Sequence, residues 1–135
     1  MEQIGTNRTV MVVDDDLDFL ETMKLRLEGA GFRVLTAESV PDAEAILDET
    51  RPDLAIIDLM MEHIDSGFTL AHKIKRKDPS IPVIMITGVT AETGLMFETD
   101  TKRERSWTKA DVLLDKPIRF EQLEREMARL LRRGE

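Results

Sequence analysis

The sequence predicts an α/β fold, a doubly wound five-stranded parallel sheet with helices on both faces. Short apolar runs alternate along the chain with longer amphipathic stretches, a pattern typical of successive strand–helix–strand units. The first run, residues 9–13, is almost entirely apolar, as expected for a strand buried on both faces. The 135 residues correspond to about one domain, so we expect a single domain over 1–135 with its core at about 8–132.

The order of elements follows from the apolar pattern. Five apolar runs are the predicted strands, at residues 9–13, 32–36, 54–57, 82–86 and 112–114. Apolar residues at helical spacing indicate helices around residues 19–27, 43–47, 68–75 and 120–131. Gly29 and Gly31 are expected to end the first helix, and Ser39 to cap the second. The segment 90–109 is a long connection between the last two strands, with one short amphipathic stretch at 95–97.

Composition narrows the classes of function. The net charge of -8 argues against a nucleic-acid partner, which would need a basic surface. The absence of cysteine excludes disulfides, thiol catalysis and cysteine metal sites. No apolar run reaches the roughly 20 residues of a membrane helix, and the N-terminus has no apolar signal core. We therefore expect a cytoplasmic protein with no membrane partner.

Polar side chains stand at the carboxyl ends of four predicted strands. Asp14 and Asp15 follow the first strand, and Asp58 follows the third. Thr87 follows the fourth strand and Lys116 the fifth. In open parallel sheets ligands bind outside the carboxyl ends of the strands, near the point where the strand order reverses. The flavodoxin-like order 2-1-3-4-5 would make strands one and three neighbours, so these side chains could converge on one pocket.

The residue types in that pocket suit a metal and a phosphoryl group. Clustered carboxylates repel each other unless a cation compensates, and their oxygens suit hard cations such as Mg²⁺ or Mn²⁺. Lys116 offers a positive charge and Thr87 a hydroxyl for phosphoryl oxygens. An aspartate carboxylate can act as a nucleophile and form an aspartyl phosphate. Each piece has a plainer alternative, since an Asp after a strand is often a helix cap and Thr-Gly is often a turn.

The ordered set of motifs resembles the receiver domains of bacterial two-component systems. The motifs are VVDDD at 12–16, DLMM at 58–61, ITG at 86–88 and LDKP at 114–117. The resemblance covers nearly the whole chain and is strong as a set, although any single motif is weak. It implies a phosphoacceptor signalling domain, and we expect a stand-alone one.

The resemblance also implies a metal site. Asp15 would bind Mg²⁺ directly and Asp14 chiefly through water. Asp58 and the backbone carbonyl of Met60 would complete the ligands that the protein supplies.

The resemblance further implies the course of phosphoryl transfer. Asp58 would accept the group from a phosphohistidine of a sensor histidine kinase, Lys116 would bind a phosphoryl oxygen, and Thr87 would follow the group. A histidine phosphotransfer domain or another effector protein is the expected further partner. Such a domain is not a conventional enzyme, because it catalyses only its own phosphorylation and dephosphorylation. The resemblance places Met60 and Val89 at the two positions that flank the pocket entrance in receivers. Neither side chain can orient a hydrolytic water, so dephosphorylation is expected to be slow.

Three features depart from the family pattern. Glu62 and His63 stand where Pro-Gly is usual, and His63 could touch the rim of the pocket. Leu113 occupies the position of the aromatic switch residue of many receivers. The segment 90–109 is longer than usual, and Trp107 within it is either a partner contact or a partly buried core aromatic.

Two rival functions remain open from the sequence. A small haloacid-dehalogenase-type phosphatase also uses a strand-end Asp, with Asp14 as the nucleophile. However, Asp18 stands where such enzymes have Thr or Val, and their late acidic pair is missing after Lys116. A receiver-like adaptor that no longer takes phosphate is the second rival, and the intact acidic residues speak against it.

Overall fold

The parallel sheet is the core of the structure. A computed structural model describes residues 8–58, 66–87, 110–115 and 118–133. Its strands are β1 (Thr9–Val13), β2 (Arg33–Ala37), β3 (Leu54–Asp58), β4 (Val83–Thr87) and β5 (Val112–Asp115). All neighbouring strands pair in parallel, and their order is β2-β1-β3-β4-β5. The predicted fold and strand order are confirmed.

Four helices cover the sheet within these ranges. They are α1 (Leu17–Gly29), α2 (Val40–Glu49), α3 (Ser66–Lys77) and α4 (Phe120–Arg133). The predicted elements all form, and their ends differ from the prediction by only a few residues. Among the residues that the structure describes, no helix is long and apolar enough to cross a membrane.

The side chains of β1 divide the core into two layers. Val10 and Val12 are buried in one cluster with residues of α1 and α4. Met11 and Val13 are buried in the other cluster, with residues of α2 and α3. Because successive residues of a strand point to opposite faces, one continuously apolar strand serves both layers. This explains why the sequence shows apolar runs and not an alternating pattern.

The two layers follow from the handedness of the crossovers. The chain moves from β1 to β2 in one direction along the sheet, and from β2 past β1 to β3 in the other. Because crossovers between parallel strands are right-handed, α1 and α2 must lie on opposite faces. The contact of the Arg26 guanidinium with the Phe120 ring, 5.1 Å from its centre, places α1 beside the start of α4. Because β2 lies on one side of β1 and β3 on the other, the strand order reverses between β1 and β3.

Gly31 and Ser39 end and begin helices as predicted, whereas Gly29 is the last residue of α1 and does not adopt the left-handed conformation. Gly31 has a positive φ of 99°, and its N–H donates to the carbonyl of Glu28 at 3.0 Å. The N–H of buried Phe32 donates to the carbonyl of Leu27 at 3.1 Å, which completes a Schellman motif. Ser39 Oγ accepts a hydrogen bond from the N–H of Asp42, so it caps α2.

The start of β5 is fixed by a polar clamp. Asp111 donates its N–H to the Val83 carbonyl, and its Oδ2 accepts from the Val83 N–H and from Lys75 Nζ, each at 2.8 Å. Lys75 also donates to the carbonyl of Ile81 at 2.7 Å. The clamp joins the end of α3 to the start of β4 and β5. The segment 90–109 and its predicted amphipathic stretch at 95–97 lie outside the described residues.

Candidate functional site

Three carboxylates meet at the point where the strand order reverses. Val13 at the end of β1 is in register with Ile57 of β3, so Asp14 and Asp58 follow at neighbouring positions. Asp14 is fully buried and Asp58 is 3% exposed, whereas Asp15 is exposed. One ligand oxygen from each of the three residues lies within 4.8 Å of the others. The structure thus brings together the three acidic residues that the sequence assigns to a metal site.

The turn after β1 holds Asp14 in a defined orientation. The Asp14 N–H donates to the carbonyl of Ala37 at 3.1 Å, which ties the end of β1 to the end of β2. The Asp14 Oδ1 accepts a hydrogen bond of 2.9 Å from the N–H of Asp16. Asp16 in turn is the N-cap of α1. The plainer alternative, that an Asp after a strand caps a helix, therefore holds for Asp16, while Asp14 and Asp15 belong to the acidic cluster.

Thr87 extends this edge of the sheet toward β5. Asp58 is in register with Ile86 of β4, and Thr87 is in register with Asp115 of β5. Thr87 is 1% exposed at the last position of its strand. Lys116 is the next residue after Asp115 in the chain, and it lies outside the described residues.

The other predicted site residues divide into described and undescribed ones. Leu113 is partly buried and packs against the apolar cluster beneath α2 and α3. It is a core contact of β5, and a switch role for this position stays a prediction. Four further predicted residues lie outside the described ranges, namely Met60, His63, Val89 and Trp107.

The carboxylates fit the implied cation. Three negatively charged groups this close together repel each other, and the burial of two of them removes the water that would screen that repulsion. A divalent cation among the oxygens offsets both costs. Mg²⁺ binds one or two carboxylates and otherwise water and phosphate oxygens, and Mn²⁺ prefers similar ligands. All the ligand atoms are oxygens, and the site is exposed at Asp15. The exposed side leaves room for the water and phosphate oxygens that such a cation also binds.

Comparison with known proteins identifies the family. The model of the response regulator receiver domain matches residues 10–128. This chain belongs to that family. Receiver domains are signalling domains and not conventional enzymes, and the family match favours this function over that of a haloacid-dehalogenase-type phosphatase, the first rival from the sequence.

The relatives are longer proteins. The phosphate regulon transcriptional regulatory protein PhoB of Pseudomonas aeruginosa is 32% identical over 128 residues, which cover 93% of this chain and 52% of that protein. The transcriptional regulatory protein AfsQ1 of Streptomyces coelicolor is 31% identical over 127 residues, covering 94% and 52%. The chain therefore spans about half the length of the curated relatives it matches.

Solved structures agree with the fold and include one with a metal. The response regulator TrrA of Thermotoga maritima, solved in complex with Mg²⁺ and BeF, is 26% identical with a TM-score of 0.74, covering 91% of this chain and 98% of that one. A CheY-like receiver domain protein of Methanospirillum hungatei has a TM-score of 0.78 at 22% identity, covering 94% and 95%. The second likeness supports the fold alone.

Sequence reasoning gave Asp16 no role in the metal site. In the run of three aspartates at residues 14–16, the sequence does not separate the two that join the carboxylate cluster from the one that caps α1. The available signal was position, because Asp16 directly precedes the first helical residue, where Asp is a favoured N-cap.

Proposed function

We propose that this receiver domain accepts a phosphoryl group on Asp58, in a site where Asp14, Asp15 and Asp58 hold Mg²⁺ or Mn²⁺. The observation that carries the proposal is the cluster of three carboxylates at the reversal of strand order. Family membership supports it, as does the presence of Mg²⁺ and BeF in the Thermotoga relative. The backbone carbonyl of Met60 is the further ligand that we propose.

The proposed donor is a phosphohistidine of a sensor histidine kinase. A carboxylate oxygen of Asp58 forms a bond to phosphorus while the bond from phosphorus to the histidine nitrogen breaks, and the electron pair of that bond returns to the imidazole. The bound cation would neutralise charge on the phosphoryl oxygens. Asp58 is nearly buried at the end of β3, and this rigid position fixes its oxygen for attack.

Two further residues complete the proposed site around the phosphoryl group. Thr87 ends the strand beside Asp58, where its hydroxyl would donate to a phosphoryl oxygen. Lys116, one residue beyond the strand partner of Thr87, would supply a positive charge to another oxygen. We further propose that dephosphorylation is slow, because Met60 and Val89 carry no group that could orient water.

The output is proposed to be a change in partner binding. Phosphorylation would shift the region between β4 and β5, which contains Trp107, between two arrangements with different affinity for a partner. A histidine phosphotransfer domain that takes the phosphoryl group onward is the alternative partner. We propose that this protein is cytoplasmic.

Beryllofluoride binding tests the proposed site without a kinase. Fluorine NMR of the protein with Mg²⁺ and beryllofluoride should show a bound signal, and Asp58→Asn should abolish it. Asp48→Asn is the matched control, because it removes an exposed carboxylate near the end of α2, which leads into the start of β3 and not to the carboxyl ends of the strands. If the wild type gave no bound signal, the adaptor function would replace the phosphoacceptor function.

A further inference from the structure

Asp16 links the acidic site to the first helix. Its side chain Oδ1 accepts hydrogen bonds from the N–H groups of Asp18 at 3.0 Å and Phe19 at 3.3 Å, which caps α1. Its own N–H donates to Asp14 Oδ1 at 2.9 Å. Asp16 therefore has two roles. Its side chain accepts hydrogen bonds from N–H groups in the first turn of α1, and its backbone N–H donates to the Asp14 carboxylate of the metal site.

The position of this N–H is set by rigid parts of the fold. Helix α1 is held on the sheet by buried Leu20, Met23 and Leu27. The Asp16 carboxylate attaches the turn to that helix, and the backbone of Asp14 is attached to β2 through Ala37. The short chain between β1 and α1 is thus fixed at both ends.

A fixed donor restricts the Asp14 carboxylate. With Oδ1 held by the Asp16 N–H, the group cannot rotate freely, and the direction of its second oxygen is set. Groups that orient a metal ligand contribute to affinity because the ligand loses less freedom when the metal binds. Asp14 is fully buried, so bulk water could not take over the role of its carboxylate if that carboxylate pointed away from the cation.

We propose that Asp16 is a positioning residue for the cation site: by capping α1 it directs its N–H to Asp14 and so pre-orients that ligand. The inference rests on the proposed function, because the benefit is to cation binding. Among the described residues, the group of close carboxylate oxygens consists of Asp14, Asp15 and Asp58, and Asp16 acts through Asp14.

Three variants separate capping from charge. Asp16→Ala removes the cap, whereas Asp16→Asn removes the charge and keeps a good capping oxygen. Ser39→Ala is the matched control, because it removes the cap of α2 without changing the residue that holds Asp14. It should lower thermal stability, as Asp16→Ala should, and leave the cation site intact.

Calorimetric titration with Mg²⁺ alone gives the first readout. We expect Asp16→Ala to weaken Mg²⁺ binding about 10-fold, the lower end of the effects of residues that orient metal ligands. Asp16→Asn should stay within about 3-fold of wild type, since Asn caps a helix about as well as Asp. Ser39→Ala should bind as the wild type does. Equal loss in both Asp16 variants would show that charge is responsible, and wild-type affinity in Asp16→Ala would show a cap with no role in positioning; either result overturns the proposal.

Amide hydrogen exchange without metal gives the second readout. The N–H of residue 16 should be protected in the wild type, Asp16→Asn and Ser39→Ala, and should lose protection in Asp16→Ala after correction for intrinsic rates. Unchanged protection in Asp16→Ala would overturn the proposal. If the wild type bound no Mg²⁺ at all, the proposed function would fail, and exchange would still decide whether the cap directs this N–H.

Discussion

Lys75→Met should destabilise the domain by about 2 kcal/mol. Lys75 Nζ donates to Asp111 Oδ2 at 2.8 Å and to the Ile81 carbonyl at 2.7 Å, and the two side chains are only 18% and 25% exposed. Hydrogen bonds to charged groups contribute about 1.5–3 kcal/mol, and the removal of one member leaves its partners desolvated. The partial exposure of both groups places the expected value near the lower half of that range, at about 2 kcal/mol.

Urea unfolding measures this cost, and Lys73→Met is the control. Lys73 lies on the same helix and pairs with Glu44 at 2.6 Å, but these side chains are 44% and 41% exposed. An exposed pair contributes about 0.2–1 kcal/mol, so Lys73→Met should cost clearly less. The melting temperature of Lys75→Met should fall by about 6 °C for a chain of this size. If the two variants lost the same free energy within error, burial of the clamp would not be the source of its stabilising effect.

Two further predictions concern backbone and pH. Gly29→Ala should raise the free energy of unfolding by about 0.5–1 kcal/mol, because an added Cβ meets nothing within 4 Å at this helical position. Gly31→Ala, at φ 99°, should lower it by about 1–2 kcal/mol in the same urea assay, and equal effects of the two changes would contradict the assignment of Gly31 as the helix terminator. The hydrogen bond from the Ser80 hydroxyl, with a further one from Arg51, lowers the pKa of Asp78 from 3.8 to about 2. The ionised Asp78 therefore stabilises the fold above pH 3.8. The difference in free energy of unfolding between wild type and Asp78→Asn should become smaller as the pH falls from 3.8 toward 2. A difference that stays constant would refute the lowered pKa of Asp78.

The fold was predictable because its signals are local. Continuous apolar runs marked strands that serve two core layers, and acids at their ends marked the functional edge. Ser39 and Gly31 have the roles that their types predict at helix ends. Strand ends were predicted one residue too short at Asp58 and Thr87, because a polar residue in a strand interrupts the apolar pattern while its backbone still pairs.

The parts that were missed depend on contacts between distant residues. The sequence pattern predicts only that Lys75 lies in a helix, because its ion pair with Asp111 spans 36 positions of sequence. Nothing local at either residue distinguishes this pair from the exposed pair of Lys73 and Glu44. The separate role of Asp16 has a different origin. Three identical residues in a row differ only in position, and position shows which one caps the helix only when the first helical residue is known to be Leu17.

Phosphorylation by acetyl phosphate tests the central claim most directly. The protein is incubated with acetyl phosphate and Mg²⁺, and its intact mass is compared with that of Asp58→Asn treated alike. We expect the wild type to gain one phosphoryl group in the presence of Mg²⁺ and none when Mg²⁺ is left out of the incubation. We expect Asp58→Asn to gain none in either case. A wild type that stays unmodified, or an Asp58→Asn variant that is modified to the same extent, would contradict the assignment of Asp58 as the phosphoacceptor.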